Sequence, residues 1–348
     1  MPENIRNLKN EEFFAKNSLS EKIHFLLKFA VLAPSTHNSQ PWLFKIEESS
    51  CKIYFDPALR LPQADPLGRD LYISIGSALE NLALAAKYFR VYQNVIYHAD
   101  GQNNLAAEVI FQEPEENKNP DLSYEKLLEA IKKRVNARGI FEKKTIPEDF
   151  LKNILLAAQE YVSSDLRLNI IKDTPTIKKI SSLTADGLKI AYESSDFRKE
   201  MSNWMRNSLT KTLDGIPGYA LRMPFILSFI IPTAVKLFNL GGILSKLNYK
   251  SLSSAPLILI ISAKENSPLV WLKTGRLAER LMLEFTSAGL KTSIFVAAVE
   301  IGNLHKNLQE MLSIDSAPQF LFAAGFMKGD FKPTPRFSTE DKIIKNAC

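Results

Sequence analysis

Three short stretches of this chain carry side chains able to hold a polar, anionic ligand. The run from Ala33 to Phe44, Ala-Pro-Ser-Thr-His-Asn-Ser-Gln-Pro-Trp-Leu-Phe, crowds Ser35, Thr36, Asn38, Ser39 and Gln40 between Pro34 and Pro41. Hydroxyls and amides donate and accept without adding charge, which suits a planar polar ligand. The ordinary alternative is a Ser/Asn-rich connection that hydrogen-bonds its own backbone. Arg134-Val-Asn-Ala-Arg138 sets two guanidiniums around Asn136, a spacing able to grip a phosphate through charge-assisted forks. The alternative there is a basic pair at a helix C-terminus, favoured by the helix dipole. Pro333-Thr-Pro-Arg336 presents a third arginine rigidly near the end of the chain. His37 reads as a residue packed within its turn, Cys51 as a packed thiol and Cys348 as a loose terminal one.

Other chemistries are excluded by what is missing. Neither G-x-G-x-x-G after a strand nor G-x-x-x-x-G-K-[ST] occurs, and there is no G-x-S-x-G and no H-E-x-x-H. Two cysteines cannot make a disulfide framework, and four scattered histidines give no metal centre. The net charge of +6 is spread along the 348 residues rather than gathered into a stripe, which argues against nucleic acid. No apolar leader opens the sequence, so a cytoplasmic protein is expected. The most apolar run, Phe225–Val235, is shorter than the roughly 20 residues a membrane span needs. It reads as a buried helix pair or a flap over a pocket.

Positioning these residues falls to an alternation of helices and strands. Ser18 and Glu21 form a capping box that opens a helix ended by Pro34. Strands are expected at Trp42–Ile46, Lys52–Phe55, Val91–His98, Leu105–Gln112, Leu166–Ile171, Pro256–Ser262, Ser293–Val296 and Gln319–Phe326. Helices are expected at Leu71–Phe89, Ser123–Arg134, from a Thr145/Glu148 capping box to Tyr161, twice within 175–211, and at Leu269–Ala288. The absence of a strict βαβ rhythm favours an α+β fold.

An internal repeat runs through this pattern. Gly76-Ser-Ala-Leu-Glu-Asn-Leu-Ala-Leu aligns with Gly275-Arg-Leu-Ala-Glu-Arg-Leu-Met-Leu, matching Glu80 with Glu279. The segmentation that follows is an N-terminal arm (1–17), a first half (18–112), a linker (113–121) and a second half (122–348). Residues 196–245 form a lid-like insertion in the second half.

The A-P-S-x-H-N-x-Q-P-W string, the arginine run and the late strand–turn Phe295-Val-Ala-Ala-Val-Glu300 together resemble the nitroreductase family of flavin oxidoreductases. Arg134, Asn136 and Arg138 stand where that family has R-x-S-x-R/K, and Ala297-Ala298 replace its acidic-glycine pair. Asp56-Pro, Arg60-Leu-Pro, Asp65-Pro-Leu-Gly-Arg69, Trp204, Asp214-Gly-Ile-Pro217 and Thr334-Pro-Arg336 are similar to the Acg-like, fused-repeat branch. The resemblance spans about residues 18–340. It implies a nitroreductase-like fold in which two related halves form a single-chain pseudodimer. The turn comes from one half and the arginines from the other, giving one FMN site per chain.

By that resemblance Arg134, Arg138 and Arg336 neutralise the phosphate with Asn136 nearby. Pro34, Ser35, Thr36, Asn38 and Gln40 reach the ribityl chain and ring edge. An amide of Ala297 or Ala298 faces flavin N5. No side chain is catalytic and no metal is involved. NAD(P)H would pass a hydride through N5 to a small-molecule acceptor of quinone or nitroaromatic type. Two alternatives stand beside this: a flavin-storing or sequestering protein without turnover, and a structural protein that has lost flavin. The fused interface leaves either a monomer or a homodimer, with no membrane span.

Overall fold

The computed structural model describes residues 6–98, 102–114, 119–162 and 165–345. Part of the expected linker, Ser163, Ser164 and Cys348 therefore lie outside the described residues. In the first half the elements are α1 (Glu11–Phe14), α2 (Leu19–Ala30), β1 (Trp42–Ile46), β2 (Ser50–Phe55), α3 (Arg69–Tyr88), β3 (Tyr92–Tyr97) and β4 (Leu105–Phe111). The second half opens with α4 (Glu125–Lys133), α5 (Glu148–Gln159) and β5 (Leu166–Ile171). There follow α6 (Thr174–Ala191), α7 (Ser195–Trp204), β6 (Met205–Arg206), β7 (Ile216–Pro217), α8 (Leu227–Leu237) and α9 (Gly241–Leu252). Then come β8 (Leu257–Ala263), α10 (Pro268–Ser287), β9 (Lys291–Ile294), α11 (Ala297–Glu300), α12 (Leu304–Leu312) and β10 (Ala317–Gly325).

Both halves are built on one plan. The antiparallel sheets run β1-β2-β4-β3 and β5-β8-β10-β9, so each places its own strands in the order first, second, fourth, third. A long helix, α3 or α10, joins the second strand to the third in each. These two helices cross at their matched glycines. A Cβ on Gly76 would lie 2.2 Å from the Leu272 carbonyl oxygen, and one on Gly275 would lie 2.1 Å from that of Ile73. Each glycine meets the residue three positions before the other, the reciprocity of a two-fold contact. The expected pair of related halves is thus present. They share one apolar core, in which Leu79 and Leu82 of α3 pack in the same cluster as Leu277 and Leu281 of α10.

Several local expectations are corrected. The Thr145/Glu148 capping box does not form: α5 starts behind Pro147, and no side chain caps it. The ring fixes the Pro147 backbone in an extended N-cap, so the helix begins at Glu148 and not two residues earlier. The Ser18/Glu21 box does form. Strand β9 ends at Ile294, because Val296 already adopts a helical conformation ahead of α11. Phe225–Val235 is neither a buried pair of helices nor covered. It contributes the greater part of a single helix, α8, with Phe225, Ile226, Leu227, Phe229 and Ile230 exposed. The polar N-terminal stretch is docked, with Phe13 fully buried and stacked 4.0 Å from Phe89.

The helix crossing gives a first prediction. Gly275→Ala forces two backbones apart and should destabilise the fold by about 3 kcal/mol, as overpacking does. Gly242→Ala in α9 meets nothing within 4 Å and should stabilise by about 0.5 kcal/mol. Urea midpoints of the two variants test the contrast.

Candidate functional site

The Pro34–Gln40 turn is held under strain. His37, Asn38 and Gln40 all have left-handed backbones, with φ of 54°, 57° and 54°. Non-glycine residues adopt this at a cost of about 1 kcal/mol or more each, so surrounding bonds must impose it. Ser35 Oγ accepts the Gln40 N–H at 2.9 Å. Gln40 Nε2 donates to the Leu213 carbonyl at 2.7 Å, and its Oε1 accepts the Phe337 N–H at 2.9 Å. Asn38 donates to the Pro335 and Leu213 carbonyls at 3.1 and 3.4 Å, and its Oδ1 accepts from Arg336. Gln40 and Asn38 are therefore latches among the turn, the C-terminal tail and the insertion. Thr36 donates to Asp70 at 3.1 Å.

Arg134 and Arg138 lie in an extended run after α4, which excludes a basic pair on a helix face. Asn136 fixes this run against β9: it bridges Thr292, its Oδ1 accepts the Ile294 N–H at 3.1 Å, and the Ala137 N–H donates to Thr292. Arg134 Nε is 3.2 Å from Oε1 of Glu279, which is fully buried. Arg336 joins them from the tail, donating to the Ala33 carbonyl at 2.9 Å, while its Nε has no partner. Arg6, from the N-terminal stretch, completes the group and donates to the Lys132 and Arg134 carbonyls.

Burial, and then the mutual repulsion of these cations, governs their protonation. Arg336 is pushed well down by burial and by Arg6 and Arg134, and Arg6 is pushed down to about 10 by burial and Arg134. Glu279 is pushed up by burial, against the pull of Arg134. Among the described residues, two buried arginines, Arg134 and Arg336, face one buried carboxylate, Glu279. Such an excess of buried positive charge is costly unless an anion completes it.

Arg138 stands apart from this group. Its neighbours are His37 and Tyr192, and burial pushes its pKa down. No ion pair to Arg138 exists among the described residues. His37 is pushed down to about 4, chiefly by burial, so its ring is neutral at pH 7, and its buried Nε2 has no hydrogen bond.

The pseudo-symmetric position is different. Glu80, the match of Glu279, is paired with Arg276 at 2.9 Å and accepts from Tyr161, while Arg276 also donates to Tyr97 at 2.6 Å. The carboxylate there meets one guanidinium and one phenol, the guanidinium is held by a second phenol, and one negative charge balances one positive. Of these two positions, the Glu279 side is left with the excess positive charge among the described residues.

The insertion crosses the Glu279 side. Tyr219 OH donates to the Pro333 carbonyl at 3.3 Å, Arg222 donates to the Arg138 carbonyl at 3.3 Å, and Glu200 accepts the Gln63 and Ala64 N–H groups. Ala297 and Ala298 open α11, with Ala298 buried and α6 packed closely over the Ala297 carbonyl at Gly187. At the end of α11, Glu300 meets Arg69 at 3.3 Å, and Arg69 also meets Asp70 at 3.3 Å. The structure brings Pro34, Ser35, Thr36, Asn38 and Gln40 together with Arg336 across the half–half boundary, and His37 with Arg138. Asn136 connects to the approach to Ala297 and Ala298 through β9.

No family model matches the chain. It is 23% identical to "Putative NAD(P)H nitroreductase Rv3131" of Mycobacterium tuberculosis over 317 residues, covering 91% of this chain and 88% of that protein. It is also 23% identical to "Putative NAD(P)H nitroreductase acg" of the same organism over 335 residues, covering 91% and 92%. The chain is thus similar to these two mycobacterial proteins along nearly its whole length. Among solved structures, an FMN-dependent nitroreductase, NfnB from Mycobacterium smegmatis in complex with NADPH, aligns at 14% identity. That alignment has a TM-score of 0.43 and covers 65% of this chain and 100% of that one.

Sequence reasoning missed Arg6, Glu279 and Tyr219 as neighbours of Arg134 and Arg336. Glu279 had a signal, its match with Glu80 in the repeat. Arg6 and Tyr219 had none, since one sits in a polar stretch and the other in a loop.

Asp65, near the start of α3, is pushed up to about 6 by burial and by neighbouring Asp70. A carboxyl that holds its proton more tightly when folded lends stability that is complete below its unfolded pKa of about 4. That stability is lost as pH rises through about 6. Asp65→Asn should flatten the fall in melting temperature between about pH 4 and 6 and keep the bond from the Leu71 N–H. Calorimetric scans across that range test it.

Proposed function

We propose that this chain binds one FMN at the Glu279 side and acts as an NAD(P)H-dependent oxidoreductase. The observation that carries the reading is the buried excess of Arg134 and Arg336 over Glu279, next to the strained Pro34–Gln40 turn. The donor set fits a flavin mononucleotide: Arg134 Nε and Nη1 and Arg336 Nε lack hydrogen bonds, and a phosphate dianion would balance their charge. Arg138, which has no ion pair among the described residues, offers a second cation to the electron-rich part of the same ligand. Ser35 and Thr36 supply hydroxyls, Asn136 positions the arginine run, and the Ala297 and Ala298 amides offer donors on the facing half. Gln40 and Asn38 hold the turn in place rather than contacting the ligand.

When bound, FMN supplies the redox chemistry, accepting a hydride and passing electrons to an acceptor of quinone or nitroaromatic type. The chain binds, orients and excludes water. A neutral His37 and the buried Asp70–Arg69–Glu300 group keep the surroundings of the turn free of a mobile charge.

A second reading, flavin storage without turnover, is favoured by one observation: the insertion is tied over the site through Leu213, Tyr219 and Arg222. Steady-state NAD(P)H oxidation with a quinone or nitroaromatic separates the two. Bound flavin that NAD(P)H never reduces rejects the enzyme.

Arg138→Ala breaks no ion pair and should lower FMN affinity at least about tenfold, the loss of one charge-assisted contact, with an unchanged melting curve of the flavin-free protein. Arg134→Ala with Arg138→Ala should purify colourless. Wild-type flavin content in the double variant, read from absorbance near the flavin band, overturns the site assignment.

A further inference from the structure

Helices α8 and α9 are packed on one side only. Their inner residues Val235, Ile231, Leu240 and Leu244 join Tyr192, Phe197 and Met205 in a small cluster on α6 and α7. Their outer residues are apolar too: Ile226 is 72% exposed, Phe238 63%, Ile243 63% and Leu247 59%, with Phe229 and Ile230 beside them. An α-helix apolar on all sides normally lies buried on all sides, and α8 carries a single charge, Lys236. Uncovered apolar surface of this extent marks a contact site.

Charge identifies what covers it. From Gly215 to Lys264 there is no Asp or Glu, whereas Arg222, Lys236, Lys246 and Lys250 all fall within the exposed part of this segment. In α9, Ile243, Lys246, Leu247 and Lys250 share one helical face, alternating apolar and cationic side chains. Asp196 of α7, the helix packed on α8, is already paired with Lys199 at 3.0 Å. A second copy of the chain would set this face against itself, lysine against lysine with no carboxylate to separate them. An anionic partner that also accepts apolar side chains at any register meets both demands. Lysines there lay their methylenes along the apolar layer and reach outward with the ammonium group.

Helices of 11 and 12 residues are too short to cross a hydrocarbon core of about 30 Å, and no helix among the described residues can cross. They can lie in its interface. We propose that the outer face of α8 and α9 docks the protein on the surface of an anionic lipid bilayer. Ile226, Phe229, Ile230, Ile243 and Leu247 enter the acyl boundary, and Lys236, Lys246 and Lys250 meet the headgroup phosphates. This docking does not depend on flavin binding.

The test is flotation of the full-length protein with phosphatidylcholine vesicles, with and without phosphatidylglycerol. The wild type should float with the anionic vesicles and remain behind with the neutral ones. Ile226→Ser/Phe229→Ser/Ile230→Ser should reduce partitioning at least tenfold. Lys236→Glu/Lys246→Glu/Lys250→Glu should reduce it by at least about fivefold per residue, as expected for charges at an anionic surface. These residues are exposed, so far-UV melting curves should match the wild type and separate docking from folding. Wild-type protein that ignores anionic vesicles overturns the proposal, as does partitioning that both variants retain. So does a sedimentation-velocity dimer that the serine variant dissociates, since the face would then be covered by a second copy.

Discussion

The architecture depends on the contact between Gly76 and Gly275. With no side chain at either position, α3 and α10 cross almost backbone to backbone. Any Cβ would have to displace a carbonyl oxygen of the partner helix. One turn further along each helix, Glu80 and Glu279 are thereby carried into the dry boundary between the halves. Two equivalent places are created, each with a buried carboxylate that must be compensated. The fold imposes that requirement twice, and the chain satisfies it in two ways.

At Glu80 the compensation is internal, through Arg276, Tyr161 and Tyr97. At Glu279 it overshoots, because Arg134 and Arg336 come to it from two separate stretches of the chain. Burying the two guanidiniums of Arg134 and Arg336 against one carboxylate disfavours the ligand-free state electrostatically and favours an anionic occupant. The asymmetry of a fused chain therefore has a physical expression. One place is neutral and shut, while the other is cationic and shaped by a strained turn. The insertion is fastened over that second place through backbone carbonyls of Leu213, Pro333 and Arg138.

Much of the frame was legible beforehand because it obeys local rules. The strands β1, β4, β5, β8 and β10 follow from apolar runs of strand length, and α3 and α10 from long apolar segments with small residues. The Ser18/Glu21 box formed as read, since capping involves only neighbours. Thr145/Glu148 failed because Pro147 restricts the backbone where the cap needed freedom. For Phe225–Val235, hydrophobicity leaves a buried helix pair and a flap over a pocket as alternatives, and the exposed single helix overturns the first, because hydrophobicity does not say which neighbour covers a helix.

The sequence alone determined the two-fold plan, through the Gly76 and Gly275 segments, and the polar turn and arginine run on which the proposed site rests. It did so because glycine crossings and turn chemistry are written in short contiguous motifs. The tertiary structure alone decided which polar groups remain free for a ligand. Gln40 and Asn38 looked like ligand contacts but are consumed by the tail and the insertion, whereas Arg6, from an unremarkable stretch, enters the buried cluster. Hydrogen-bond capacity is a property of the side chain, but whether it is already spent depends on partners up to 300 residues away, and no local pattern encodes that.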